Sequence, residues 1–184
     1  MSKLDVVQAV AISGSPARNS KSRTLLTRAV ELLAIEGVDT IVLDLATLPA
    51  DGLLGRSAVP AIAAAISSIA ETDIIVAATP VYRATYSGLL KVFFDLLPPS
   101  ALVGKVGIPI ATGGSASHQL VLDHGLRPLF ASLGALVIPS ATYATDAQFT
   151  TDGPDPLLIE RLQRAVNEAV SLARSTTRIL SPIT

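Results

Sequence analysis

The stretch Ser13–Thr24, with the sequence SGSPARNSKSRT, joins an apolar run to an amphipathic segment. The apolar run Val6–Ile12 predicts a buried β-strand. The segment Leu25–Ile35 repeats apolar residues at helical spacing, and Gly37 follows it as a helix C-terminal signal, so it predicts a helix. A strand, a polar turn and a helix in this order are the opening unit of a parallel α/β sheet.

The turn itself has the composition of an anion-binding loop. Main-chain N–H groups at a helix N-terminus attract phosphate, and hydroxyl and guanidinium groups add hydrogen bonds. The stretch lacks both G-x-G-x-x-G and G-x-x-x-x-G-K-[ST], so neither a dinucleotide nor a nucleoside triphosphate is expected. It therefore predicts a site for a terminal phosphate monoester such as that of FMN, bound by Ser13, Ser15, Arg18, Ser20 and Ser22. The alternative interpretation of Ser22 and of Thr24 is a simple helix cap.

The rest of the chain continues the alternation of strands and helices. Further strands are predicted over Thr40–Leu45, Asp73–Thr79, Val106–Thr112 and Leu136–Ile138, and further helices over Ala58–Glu71, Gly88–Leu97, Ser117–Leu133 and Pro156–Arg174. Five such units predict a flavodoxin-like, doubly wound, five-stranded parallel sheet of order 2-1-3-4-5 with helices on both faces. Pro109 conflicts with a central strand, and predicts a bulge or a strand end there. Residues 1–174 are expected to form a single FMN-binding domain, and residues 175–184 a loosely ordered tail.

In this topology, ligands bind at the carboxyl ends of the first and third strands. Three polar loops meet there, Ser13–Ser22, Pro80–Ser87 and Thr112–Ser115. The second loop offers main-chain donors to a planar ring, and the two glycines of the third give a floor without side chains. Flavin contacts are thus predicted for Pro80, Val81, Tyr82, Ser87, Thr112, Gly113, Gly114 and Ser115. The alternatives are surface or interface packing for Tyr82 and an ordinary strand–helix turn for the two glycines.

Composition narrows the function classes. The chain has 184 residues, 16% of them charged, with a mean hydropathy of +0.53. Because soluble domains average about 25% charged residues, apolar surface is expected to be buried in a homodimer or homotetramer. A net charge of −1 without a basic cluster argues against nucleic acid, and cysteine is absent. No metal site is evident. No signal peptide or membrane span is evident either, so a cytoplasmic location is expected.

Three segments carry a resemblance to a known family. They are SGSPARNSKSRTLL from Ser13, ATPVYRATYSGLLKVFFDLLPPSALVGK from Ala78 and PIATGGSASHQLVLDHGLRPLFASLGA from Pro109. Together they resemble the NAD(P)H-dependent FMN reductases of two-component alkanesulfonate monooxygenase systems, over about Val6 to Phe149. The resemblance implies a flavodoxin-like oligomer that reduces FMN with NAD(P)H and passes reduced flavin to a partner monooxygenase for sulfonate or organosulfur oxidation.

The resemblance also bears on single residues. It implies that Ser15–Ser22 holds the flavin phosphate, while Pro80–Tyr82 and Ser87 border the ring and Thr112–Ser115 line its other side. His124 falls where sulfonate-type reductases carry an extra aromatic residue, which makes a π-type bulge at the subunit interface. We interpret His124 as an interface residue that assists flavin exchange. No catalytic acid or base is expected, because hydride passes directly between the cofactors.

Two other functions remain open at this point. One is an enzyme that keeps FMN bound and reduces quinones, azo dyes or metal oxyanions. The other is a flavodoxin-type electron carrier without an NAD(P)H site. The carrier is disfavoured because flavodoxins are strongly acidic, whereas this chain has 15 acidic and 14 basic residues.

Overall fold

A computed structural model describes residues 7–180, with side chains described for residues 7–176. Its strands are β1 (Gln8–Ser13), β2 (Asp39–Asp44), β3 (Ile74–Tyr82), β4 (Thr85–Tyr86), β5 (Val106–Gly113), β6 (Leu136–Val137), β7 (Thr142–Thr145), β8 (Phe149–Thr150) and β9 (Gly153–Pro154). Its α-helices are α1 (Lys21–Ile35), α2 (Ala50–Leu53), α3 (Pro60–Ala70), α4 (Gly88–Asp95), α5 (Arg127–Ser132) and α6 (Pro156–Leu180).

The main sheet has the predicted parallel order. Its strands run β2-β1-β3-β5-β6, and β7 also pairs with β5 in parallel. The two-residue strand β4 pairs only with β3, in antiparallel fashion, and was not predicted. The strands predicted as the fourth and the fifth therefore correspond to β5 and β6. The order 2-1-3-4-5 is therefore confirmed, while the sheet formed by residues 7–180 contains seven strands where five were predicted.

Pro109 lies inside the central strand β5, so the prediction of a bulge or strand end is wrong. It is in register with Ala77 of β3. On the other side of β5, Val137 pairs with Gly107 and Thr142 with Ile110, so the interval between β6 and β7 lies opposite Pro109. Because proline has no N–H to donate, the sheet accommodates it where the neighbouring strand is interrupted. The predicted fifth strand, Leu136–Ile138, is for this reason only the first piece of a split strand.

Helices cover both faces of the sheet, as predicted. Alternate residues of β3 point to opposite faces, with Val76 in one apolar cluster and Ile75 in the other. The first cluster contains buried residues of α1 and α6, such as Leu33 and Val166. The second contains buried residues of α3, α4 and α5, including Phe93. The parallel strands are thus buried on both faces.

Several predicted element bounds are corrected. The helix predicted from Leu25 already begins at Lys21, because the Ser20 hydroxyl accepts a hydrogen bond from the Arg23 N–H at 3.2 Å. Strand β3 does not stop at Pro80 and continues to Tyr82. Helix α6 extends past the predicted end at Arg174 and includes residues 175–180. The loose ordering of the tail stays a prediction. Residues 181–184 of that tail lie outside the described residues.

The helix predicted over Ser117–Leu133 is three different segments. They are a 3-10 helix (Ala116–Leu120), a π-helix (Leu122–Leu126) and α5. The Arg127 N–H donates to the carbonyl of Leu122, five residues earlier, which is the hydrogen bond of a π-turn. Pro128 follows directly and has no N–H, so it cannot donate to the carbonyl four residues earlier. His124 lies within the π-helix, which confirms the π-type bulge.

In the part of the chain that the structure describes, no helix combines the length and the apolar character that crossing a membrane requires.

Candidate functional site

Gly14 hydrogen-bonds the first loop to the sheet and lets the loop pass close to α4. Its N–H donates to the Ala78 carbonyl at 2.8 Å. A Cβ on Gly14 would lie 2.9 Å from the Cβ of Leu90, closer than side-chain carbons pack. Glycine is required here because the loop passes so near α4. This contact fixes the start of the predicted phosphate loop.

The serines of this loop divide into structural and available groups. The Ser15 hydroxyl is buried and accepts the Ala17 N–H at 3.2 Å. Ser20 caps α1, so the capping role belongs to Ser20, not to Ser22 or Thr24. The hydroxyls of Ser20 and Ser22 are 3.2 Å apart, and their mutual bond uses one of their two protons. The other proton remains for a ligand at the N-terminus of α1.

Two further groups of the loop, the Ser13 hydroxyl and the Arg18 guanidinium, suit a phosphate ester. The hydroxyl of Ser13 is buried at the carboxyl end of β1 and has no hydrogen-bond partner among residues 7–176. Buried polar atoms without a partner are rare in folded chains, and a ligand is one explanation for them. Arg18 is exposed on the same loop. Hydroxyls, free helix N–H groups and a guanidinium make a donor set that suits a phosphate monoester.

Ser87 joins the first loop to the second. Its hydroxyl donates to the Gly14 carbonyl and accepts the Leu90 N–H at 3.1 Å, which caps α4. Its own N–H donates to the Thr79 hydroxyl at 2.9 Å. Ser87 is buried, so its polar groups hold the two loops together. The predicted position of Ser87 beside a flavin ring stays a prediction. The sequence analysis missed Thr79 as a partner of Ser87, although it is the one polar residue in the predicted third strand after Asp73.

The second loop is a β-hairpin, not the irregular loop that the sequence predicts. Tyr82 of β3 pairs with Thr85 of β4. The two connecting residues, Arg83 and Ala84, have φ angles of 51° and 70°. Such a turn usually contains glycine or asparagine, which is why the sequence does not signal it. Tyr82 is exposed at 47% and stands at the outer end of β3.

The hairpin also contacts the π-helix. A Cβ on Gly125 would lie 3.2 Å from both the Thr85 hydroxyl and Cδ1 of Tyr86. The π-helix therefore approaches β4 with its backbone. His124 is the neighbour of Gly125 and is exposed. Its predicted role in flavin exchange stays a prediction.

The third loop lies beside the second, because Thr112 is in register with Pro80. Gly113 is required by packing: a Cβ there would lie 2.5 Å from the hydroxyl oxygen of Tyr143. That hydroxyl donates to the Ser115 carbonyl at 2.6 Å. Gly114 is less constrained, with its nearest neighbour for a Cβ at 3.8 Å.

Tyr143 was missed in the sequence because β7 was predicted as a loop. It is 8% exposed, and burial, followed by the charge of Asp146, raises the pKa of its hydroxyl. It remains a neutral hydrogen-bond donor well above neutral pH. Tyr143 thus holds the third loop as Ser87 holds the first two.

An ion pair connects the start of α1 to the residue that follows β7. Lys21, the first residue of α1, lies 2.7 Å from Asp146, which follows β7. The Lys21 ammonium also lies 5.6 Å from the centre of the Phe149 ring. Both charged side chains are largely exposed, so the pair adds at most about 1 kcal/mol to stability. It connects the predicted phosphate loop to the strand that carries Tyr143.

Arg127 attaches the π-helix to the interrupted strand. Its guanidinium donates to the carbonyls of Ile138 and Pro139 at 2.6 Å each. Its Nε donates to the Asp123 carboxylate at 2.8 Å. These carbonyls lie between β6 and β7, opposite Pro109, which has no N–H to donate to them. One side chain therefore stabilises two irregular segments.

The three predicted loops thus meet at the carboxyl edge of the sheet. Pro80, Val81 and Tyr82 end β3, Thr112 and Gly113 end β5, and Ser13 ends β1. We call the space between these loops the crevice, and the residues around it offer hydroxyl and main-chain groups. Such a site can bind and orient a phosphorylated planar ligand.

Comparisons with known proteins agree with this interpretation. Residues 7–150 match the family model described as NADPH-dependent FMN reductase. The FMN reductase (NADPH) of Pseudomonas putida is 36% identical over 173 residues, which cover 90% of this chain and 88% of that protein. The NADH-dependent FMN reductase SfnF of Pseudomonas fluorescens is 40% identical over 149 residues, which cover 78% and 79%. The apo form of the NADH:FMN oxidoreductase EMOB superposes with a TM-score of 0.81 at 34% identity, covering 97% of this chain and 92% of that chain.

Proposed function

The chain belongs to the NADPH-dependent FMN reductase family, and we propose that it releases the FMN it reduces to a partner monooxygenase. Reduction of FMN by NAD(P)H is the activity of this family, and FMN and NAD(P)H are its cofactors. Membership in an enzyme family argues against the electron-carrier alternative. The proposal concerns the fate of the reduced flavin, and it includes sulfonate or organosulfur oxidation as the partner's reaction.

The chain's own residues supply binding and orientation. We assign the phosphate to the N-terminus of α1, with Ser13, Ser15, Arg18, Ser20 and Ser22 around it. The ring lies between the hairpin after β3 and the third loop, where main-chain N–H groups can donate to its edge. When bound, the two cofactors supply the hydride chemistry, in which the nicotinamide is the donor and the flavin the acceptor. Contact and alignment of the two rings are the protein's contribution.

One observation carries this assignment: the bond from the Ser87 hydroxyl to the Gly14 carbonyl joins the phosphate loop and the ring loop into a single crevice. The FMN phosphate and ring would occupy opposite ends of that crevice. A flavin without a phosphate, such as riboflavin, would lose the contacts at α1.

The phosphate assignment is tested with the double variant S20A/S22A. We expect the KM for FMN to rise about tenfold or more while the KM for riboflavin is unchanged, since charge-assisted hydrogen bonds contribute about 1.5–3 kcal/mol. D155A is the matched control, because Asp155 caps α6 through the Leu157 N–H at 2.7 Å and lies outside the crevice. Equal effects on FMN and riboflavin would contradict the phosphate assignment.

Release of reduced flavin needs a separate test. We expect the purified protein to retain little FMN on gel filtration, and to support a reduced-flavin-dependent alkanesulfonate monooxygenase when NAD(P)H and free FMN are supplied. A protein that stays yellow and turns over quinones without exchanging its flavin would instead support the bound-FMN alternative.

We further propose that the site is completed in a homodimer or homotetramer, with His124 at the interface. The aromatic side chain of Tyr82 is 47% exposed, on the hairpin that the π-helix carrying His124 contacts. Light scattering of the native protein and of H124A tests this. We expect H124A to shift the assembly toward smaller species and to change the rate of flavin dissociation; if both stay unchanged, His124 has no such role.

A further inference from the structure

A cavity of about 260 Å³ lies behind the third loop, outside the crevice assigned to the flavin. It is open to solvent on one side and bordered by the 3-10 and π-helices, by β7, by the turn after β7 and by α6. The residues that line it are Ala116, Gln119, Leu120, Leu122, Asp123, Ala141, Tyr143, Thr145, Gln148 and Arg161. None of the residues assigned above to the flavin lines this space, and neither does the Lys21–Asp146 pair.

The unpaired charge in the cavity is positive. The guanidinium of Arg161 on α6 has no ion pair or hydrogen bond among residues 7–176. Its helical neighbours three and four positions away are Leu157, Leu158, Arg164 and Ala165. The carboxylate that also lines the cavity, Asp123, is neutralised by Arg127 at 2.8 Å. An anion in this cavity would therefore meet a guanidinium that has no competing partner.

Two side-chain amides line the same cavity and add hydrogen-bond donors. The side-chain oxygen of Gln148 accepts the Thr145 N–H at 3.0 Å, which leaves its NH₂ group for another acceptor. Gln119 contributes a second amide from the 3-10 helix. A guanidinium and two amide NH₂ groups match the oxygens of a phosphate.

The remaining wall is apolar. Leu120, Leu122, Ala116 and Ala141 line it. Leu120 is 57% exposed, so the apolar surface is open to solvent. A phosphate attached to a flat, weakly polar group would use both halves of this cavity. The adenosine phosphate half of a pyridine dinucleotide has this chemistry.

The cavity adjoins the flavin crevice through one side chain. Tyr143 lines the cavity and also donates its hydroxyl proton to the Ser115 carbonyl in the third loop. Ala116 lines it as well, directly after Ser115. A dinucleotide with its nicotinamide at the flavin ring can therefore extend past the third loop into this space.

We propose that this cavity binds the adenosine phosphate half of NAD(P)H, with Arg161 as the phosphate ligand. The proposal rests on the assignment of the crevice to FMN. It names a binding residue on α6, far along the chain from the three loops that hold the flavin.

The test compares R161Q with R164Q, which removes the charge of the next exposed arginine on the same helix. Steady-state rates are measured with FMN and either NADPH or N-benzyl-1,4-dihydronicotinamide, a hydride donor without adenosine or phosphate. We expect R161Q, and not R164Q, to raise the ratio of the KM for NADPH to the KM for the truncated donor about tenfold. The KM for FMN should not change.

The other outcomes separate the proposal from its alternatives. An equal ratio in both variants overturns it, and so does an increase of both KM values in R161Q, since that would indicate a general distortion. Competition of ADP with NADPH in the native protein, lost in R161Q, supports it. If inorganic phosphate binds through Arg161 while ADP does not compete, the cavity serves a separate small anion and the proposal is wrong. Native turnover with the truncated donor reports on the flavin crevice alone, so its failure would be recognised separately.

Discussion

The hydroxyl oxygen of Tyr143 occupies the space that a side chain on Gly113 would need. An ideal Cβ on Gly113 lies 2.5 Å from this oxygen but 3.5 Å from the ring carbon that carries it. The two residues are thus matched in size, and the match holds the third loop against β7. The relationship makes their substitutions interdependent.

We predict that G113A and Y143F each raise the KM for FMN, and that the double variant costs less stability than the two single variants added together. Alanine at 113 displaces the hydroxyl, whereas phenylalanine at 143 removes it and leaves a normal contact with the new methyl group. Coupling energies between contacting residues are about 0.5–3 kcal/mol. Urea unfolding of the native protein, the two single variants and the double variant measures this coupling energy. Strict additivity would show that the two side chains do not compete for this space.

Tyr143 also predicts a pH dependence of stability. Burial and the charge of Asp146 raise the pKa of its hydroxyl in the folded state above the ordinary value of 10.0. Between the unfolded and the folded pKa, the folded chain holds a proton that the unfolded chain has lost, so stability falls as the pH rises through that window. The stabilisation is complete below pH 10. We expect the native protein to lose stability relative to Y143F above about pH 10.

The matched measurement is urea unfolding of both proteins at pH 8 and at pH 10.5, with tyrosinate absorbance followed in parallel. A difference between the two proteins that does not change with pH would contradict the raised pKa.

We predict that S87A lowers the free energy of unfolding by about 1–3 kcal/mol, because it leaves buried partners unsatisfied and removes the cap of α4. The affinity for FMN should fall with it, since the two loops are no longer joined. S132A is the control: Ser132 donates to the Leu129 carbonyl within α5, away from the crevice. Flavin affinity that is unchanged in S87A, measured by fluorescence titration, would separate the bond to Gly14 from flavin binding.

Arg127 should matter more than its ion-pair partner. R127Q removes donors to the carbonyls of Ile138 and Pro139, and we expect a loss of about 1–3 kcal/mol in the free energy of unfolding. D123N removes only a largely exposed charge, for which about 1 kcal/mol or less is expected. Chemical denaturation of both variants checks the order. A larger loss in D123N would mean that the ion pair, not the carbonyl contacts, holds the π-helix.

The sequence predicted the sheet order and the convergence of the three loops, because apolar runs and turn residues signal parallel strands directly. It did not predict the split fifth strand, since the cause is Pro109, which lies far away in the chain. The hairpin at Arg83 and Ala84 was missed because its turn lacks glycine. Thr79, Tyr143 and Lys21 were missed because each acts through a tertiary contact that no local pattern records.

For the loop serines, composition indicated hydroxyls near a helix start but not how each is used. Ser15 and Ser20 turned out to accept main-chain N–H groups, and Ser87 to bridge two loops. Only the packed structure distinguishes a hydroxyl that stabilises the loop from one that remains for a ligand.

The bond between Ser87 and Gly14 spans 73 positions in the chain. It cannot form until β1 and β3 are paired, and contacts of such long sequence separation develop late in folding. Helix formation is complete on far shorter timescales. In a refolding experiment, the capacity to quench flavin fluorescence should therefore recover later than the helical circular dichroism. Flavin binding would then measure the fraction of fully folded protein.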